Sequence, residues 1–134
     1  MNKSTRLIVW HKYHEHCAYC GRPLAYDDME VDHLIPQRLR WWYKNPAKIK
    51  QYNLTGTVDD IKNLMPSCRR CNHYKRSYLL EGFRKLMMTL HKRIMQNYIC
   101  KVAVDYGIIN VIPWDGVFYF EKQEMKRTKN RSYE

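Results

Sequence analysis

The chain has 134 residues, 45% hydrophobic and 13% aromatic, which suits one folded domain and excludes a disordered one. Lysine and arginine number 24 against 13 aspartates and glutamates, a net charge of +11 spread along most of the chain. That surplus favours a polyanion as partner, because each neutralised phosphate releases counterions. No apolar run approaches the roughly 18 residues of a membrane-spanning helix.

In chain order, Ser4 reads as an N-cap for a helix over residues 5–15, with Leu7, Ile8 and His11 on its buried face. No targeting signal is visible, and the five cysteines suit a reducing compartment, so residence in the cytoplasm is expected. Cys17-Ala18-Tyr19-Cys20-Gly21 reads as a tight knuckle, with Gly21 free to take a positive φ. His11, His14 and His16 crowd it and read as solvated or helix-packing side chains. Residues 29–35 form an apolar-rich strand stopped by Pro36. Glu30 shares a strand face with Asp32 and is either a surface carboxylate or a support for a site there.

Residues 38–60 interleave Arg38, Arg40, Lys44, Lys48 and Lys50 with Trp41, Trp42 and Tyr43. That pattern suits phosphate contact with stacking on an unpaired base, or else tryptophans covering core among solvated lysines. After Cys68 the stripe Leu79, Leu80, Phe83, Leu86, Met87, Leu90, Ile94, Tyr98 predicts one long helix, with Gly82 as a bend. Residues 108–112 and 117–120 read as two strands joined by Pro113-Trp114-Asp115-Gly116. This C-terminal β-hairpin offers an edge that could pair two copies; monomer and homodimer both stay open. Residues 126–134 form a polar, basic, frayed tail.

Cys17-x-x-Cys20 and Cys68-x-x-Cys71 are separated by residues 21–67. Four thiolates from two such knuckles surround one Zn²⁺ at about 2.3 Å. No βαβ pattern flanks either pair, which argues against a redox role. Cys100 reads as a small buried apolar residue. A zinc held by four cysteines has no open position, so any catalysis must use other residues.

Between and beside the knuckles lie Asp32-His33, Asn63 and Asn72-His73. Phosphodiester hydrolysis needs a base for water, a cation for the developing charge and fixed geometry. Oxygen ligands such as Asp32 and the Asn72 amide suit Mg²⁺ or Mn²⁺, and an imidazole at His33 suits proton abstraction near neutral pH. Arg69 and Arg70, within the second knuckle, are placed to meet phosphate, and Arg76 is a further candidate.

The order C-x-x-C-G, V-D-H-L-I-P, N-L, C-x-x-C-N-x-x-K over residues 17–75 resembles the zinc-knuckle branch of the HNH endonucleases. The resemblance implies a ββα-metal (His-Me finger) core. It implies Asp32 as ligand of a catalytic divalent metal, His33 as general base, and Asn63 as the residue that holds the loop and orients the histidine. A second metal ligand falls on Asn72, with adjacent His73 as the alternative, and Lys75 takes the family's basic position, where it would meet phosphate. It further implies 5′-phosphate and 3′-hydroxyl products. The span from His33 to Asn63 is longer than in compact members.

The expected protein is therefore an α+β domain over residues 1–125: a ββα core (17–75) with a four-cysteine zinc site, then flanking helix and hairpin (76–120). Its expected activity is metal-dependent DNA cleavage, in the host cytoplasm if it serves a phage or mobile-element assembly. The competing class is a non-catalytic zinc module that binds nucleic acid or protein. That class accounts for the cysteines and the charge but not for the order of Asp32, His33, Asn63 and Asn72.

Overall fold

The computed structural model describes residues 1–39, 44–51 and 57–132; Arg40, Trp41, Trp42 and Tyr43 lie outside them. The chain divides into two compact units, residues 1–79 with 118–134, and residues 80–117. Among the described residues no helix is long and apolar enough to cross a membrane.

The first unit is mixed α and β. Helix α1 (Lys3–His11) is capped by Asn2, whose side chain accepts from the Thr5 amide at 2.8 Å, and not by Ser4. Trp10 donates to the Leu24 carbonyl at 2.7 Å, and Arg6 reaches the carbonyls of Tyr26 and Met29 at 2.8 and 2.7 Å. These long polar side chains fasten α1 to the chain that leads into strand β1 (Glu30–His33). Lys12, just past α1, donates to the carbonyls of Ile61 and Leu64, both at 2.8 Å.

Strand β1 pairs antiparallel with β2 (Leu64–Ser67), Glu30 opposite Ser67 and His33 opposite Leu64. No strand over 64–67 is evident from the sequence, and Pro66 within it cannot donate to a ladder. Its carbonyl instead accepts from Ala18 N at 2.8 Å, so its missing N–H faces away from β1 and no ladder bond is lost. Helix α2 (Pro46–Gln51) is capped by the Asn45 side chain, which accepts from Ala47 N at 3.1 Å. Helix α3 (Arg69–Lys75) follows β2 directly and packs against β1.

The C-terminal segment returns to the first knuckle. Tyr119 N donates to Tyr19 O at 3.1 Å and Phe120 N to Ala18 O at 2.8 Å. Phe118 is buried, with its ring edge-on to Tyr19 at 5.6 Å. Gly21 has φ +79, and a Cβ there would lie 2.7 Å from the Tyr119 ring. Helix α7 (Tyr119–Ser132) then runs through the segment expected to fray. Its Glu, Lys, Gln and Arg residues are good helix formers, and Glu124 pairs with Arg127 at 3.2 Å.

The second unit holds α4 (Leu80–Met88), α5 (Leu90–Gln96) and α6 (Tyr98–Asp105), not one long helix. Thr89 Oγ1 bonds back to Leu86 O at 2.7 Å, and Asn97 caps α6 by accepting from Cys100 N at 3.3 Å. Both side chains compete with the helix ladder for backbone partners. The expected hairpin is absent: residues 108–118 contain no strand. Ile108 N bonds back to Ala103 O at 2.9 Å, which closes α6. Pro113 lacks a donor. Phe120, the second strand's expected end, gives its N–H to the first knuckle instead.

Candidate functional site

The four cysteines Cys17, Cys20, Cys68 and Cys71 converge, their sulfurs all within 4.8 Å of one another. Among the described residues they are the one group of three or more His, Cys, Asp or Glu side chains to do so. Cys20 Sγ lies 3.9 Å from Cys68 Sγ. A zinc tetrahedron with bonds of about 2.3 Å has sulfur–sulfur edges of about 3.8 Å, so the set fits that ion. Backbone amides support the sulfurs: Cys68 N points at Cys17 Sγ at 3.3 Å and Cys71 N at Cys68 Sγ at 3.4 Å. Hydrogen bonds from Cys20 and Cys71 pull the Cys17 thiol well below its ordinary range. The hydrogen bond to Cys17 pushes Cys20 up to about 11 and Cys71 higher still. A divalent cation bound by all four sulfurs would favour the thiolate at each and release the remaining protons.

Asp32 and His33 sit at the end of β1. The Asp32 side chain is 8% exposed, and its Oδ2 meets the Lys75 ammonium at 3.0 Å. The same oxygen accepts from the Tyr19 hydroxyl. Burial, then the Asp32 charge, pushes the Tyr19 phenol well above its ordinary range. Lys75 is fully buried and also donates to His33 O at 3.1 Å. Lys75, expected to touch phosphate, is in this conformation the counter-ion of Asp32, because a side chain with no exposed surface cannot reach a ligand in solvent.

His33 is 16% exposed at its side chain, and its Nε2 lies 2.9 Å from Asp59 Oδ1. Gln37 Nε2 approaches the same ring nitrogen at 3.4 Å. Asn63 is fully buried and bridges the two strands' connecting chain. Its Oδ1 accepts from Ile35 N at 2.8 Å, and its Nδ2 donates to Val58 O at 2.9 Å and Ile35 O at 3.2 Å. Its own carbonyl accepts from Leu34 N at 2.9 Å.

Asn72 on α3 reaches β1: its Nδ2 lies 3.5 Å from Glu30 Oε1. Glu30 Oε2 is buried without a hydrogen-bond partner, an orphaned oxygen beside an amide and two residues from Asp32. These oxygen donors fit a hard cation such as Mg²⁺ or Mn²⁺. His73 is exposed and lines an open depression with Arg22, Glu30, Arg69 and Arg70. Arg38, Lys44, Arg69, Arg70 and Arg76 are exposed cations; Arg38 also bonds Ser77 O at 3.1 Å. Sequence reasoning named neither Tyr19 nor Asp59 as part of the site. The knuckle position of Tyr19 and the acidic pair Asp59-Asp60 were visible, but nothing local showed what they face.

The chain is similar to the CRISPR-associated endonuclease Cas9 of Corynebacterium diphtheriae. The two are 30% identical over 59 residues, which is 44% of this chain. The chain spans only 4% of the length of that protein. No family model matches the chain, and no solved structure does.

Proposed function

We propose that this protein is a metal-dependent DNA endonuclease of the HNH type, stapled by zinc at its four cysteines. One observation carries the reading. Asp32 and His33 lie on the first strand of a β1-β2-α3 unit whose helix brings Asn72 against that same strand. The partial similarity to an endonuclease supports the same chemistry.

Asp32 and Asn72 would hold one Mg²⁺ or Mn²⁺, which when bound supplies stabilisation of charge on the phosphate and the leaving oxygen. Asn72 is preferred over His73 because it faces β1 while its neighbour faces solvent. His33 is the general base. In the tautomer that donates from Nε2 to Asp59, the lone pair sits on Nδ1, ready for a proton from water. Asp59 then stabilises the imidazolium that forms. Asn63 fixes the chain just after His33, and so the ring's approach. Arg69, Arg70 and Arg76, with Arg38 and Lys44, supply phosphate contacts that position DNA without reading its sequence.

Incubating supercoiled plasmid with the zinc-loaded protein tests this. Nicking is expected with Mg²⁺ or Mn²⁺ and not with EDTA. His33→Ala should reduce it at least 100-fold, about the contribution of a general base, with zinc content unchanged. Full activity in that variant would overturn the assignment. A gel shift with no cleavage under any metal would favour the non-catalytic binding module.

A further inference from the structure

We propose that Tyr19 is a positioning residue for Asp32, so that the zinc knuckles aim the carboxylate at the catalytic cation. The inference rests on the nuclease reading and names a residue and a coupling that reading does not need.

Tyr19 lies between Cys17 and Cys20, and Lys75 lies one helical turn beyond Cys71. Each knuckle thus delivers one donor, and both donors land on the same atom, Asp32 Oδ2. A carboxylate oxygen has two lone-pair sites, and here both are taken. Among the described residues Oδ1 has no hydrogen-bond partner, and it is not a buried orphan. The carboxylate cannot rotate without losing both bonds, so Oδ1 is the oxygen presented to a cation.

The tyrosine is itself held on all sides. It is 3% exposed, with edge-on contacts to Phe118 at 5.6 Å and Phe120 at 6.2 Å. Its carbonyl accepts from Tyr119 N at 3.1 Å. Zinc held by Cys17 and Cys20 would fix the chain on either side of it. Lys75 sets a second property of the site. Its charge cancels that of Asp32, which weakens the pull of the carboxylate on a divalent ion. The ion should therefore bind more tightly once a DNA phosphate shares it, as is usual for Mg²⁺ sites built on few carboxylates.

The test is Tyr19→Phe in the zinc-loaded full chain, which removes the hydroxyl and keeps the ring. Mn²⁺ binding is measured by the loss of the free-ion EPR signal, alongside the Mn²⁺ dependence of plasmid nicking. Losing an outer-shell partner typically costs about 10- to 100-fold in metal affinity. The expected result is Mn²⁺ binding weakened by about 10-fold, with the half-saturating Mn²⁺ for nicking raised by a similar factor. At saturating Mn²⁺ the rate should recover to within about threefold, and zinc content should match wild type; a residue that only supports the fold would not give this split. Unchanged Mn²⁺ affinity in Tyr19→Phe, while the wild type binds and cuts, would overturn the positioning role and leave the nuclease reading standing. A wild type that neither binds Mn²⁺ nor cuts would overturn the nuclease reading itself.

Discussion

Asp32→Ala should damage the fold as much as any chemistry. The substitution leaves the Lys75 ammonium, 0% exposed, without its carboxylate and retaining the His33 carbonyl at 3.1 Å. Removing one member of a buried pair costs about 3–5 kcal/mol, because the partner's charge remains buried. Loss of the Tyr19 hydroxyl's acceptor adds to this. For a domain of this size each kcal/mol corresponds to about 4 °C in Tm, so a fall of roughly 12–20 °C is expected. Adding Lys75→Met removes the stranded charge and fills its volume, and a buried pair replaced by apolar groups is often near neutral. The double variant should therefore return to within about 2 kcal/mol of wild type, a coupling of at least about 1–3 kcal/mol. Urea unfolding of the four zinc-loaded proteins measures the cycle. An Asp32→Ala cost below about 1 kcal/mol, or no recovery in the double variant, would refute the argument. His33→Ala is the cleaner probe of catalysis: its ring pairs with Asp59, which is 68% exposed, and such pairs contribute about 1 kcal/mol or less.

Two further outcomes follow from the polar anchors. Asn63→Ala removes the side-chain hydrogen bonds to Ile35 and Val58 and should cost roughly 2–4 kcal/mol in urea unfolding; a loss under about 1 kcal/mol would show the loop is held otherwise. Burial, more than any neighbouring charge, pushes Lys12 down to about 8 from 10.5. Between those values the unfolded chain keeps a proton that the folded chain has released, so this group makes stability rise with pH across that window. Lys12→Met should remove that rise, read as the change in urea midpoint from pH 8 to pH 10 relative to wild type. An identical change in both proteins would refute the shift.

The parts legible in the sequence were those whose chemistry is local. The spacing of Cys17, Cys20, Cys68 and Cys71 announces a cluster because two residues between thiols is a geometric requirement, and the four sulfurs do converge. The strand bearing Asp32-His33 was legible from its apolar run and terminal proline. Strand β2 was hidden, since Pro66 argues against a strand until its outward orientation is known. The burial of Lys75 was hidden for a related reason. Three residues past Asn72 on a short helix, a lysine looks solvent-bound, and only the tertiary approach of Asp32 gives it a buried partner. The C-terminal third misled most. Alternation and a turn signal at 108–120 pointed to a hairpin, but backbone donors near its end bond to Tyr19 and Ala18, a hundred residues earlier.

That return has a consequence for what counts as a module. The stretch from Cys17 to Lys75 carries every cysteine of the cluster together with Asp32, His33, Asn63 and Asn72, and looks like a portable cassette. Its packing reaches beyond those bounds. Phe118 fills a wall beside Tyr19, and Tyr119 and Phe120 give their N–H groups to the knuckle's carbonyls. The motif is the sequence address of the site, but its architecture is discontinuous. A graft or excision drawn at the motif's edges would open the first knuckle on the side where Tyr19 is held.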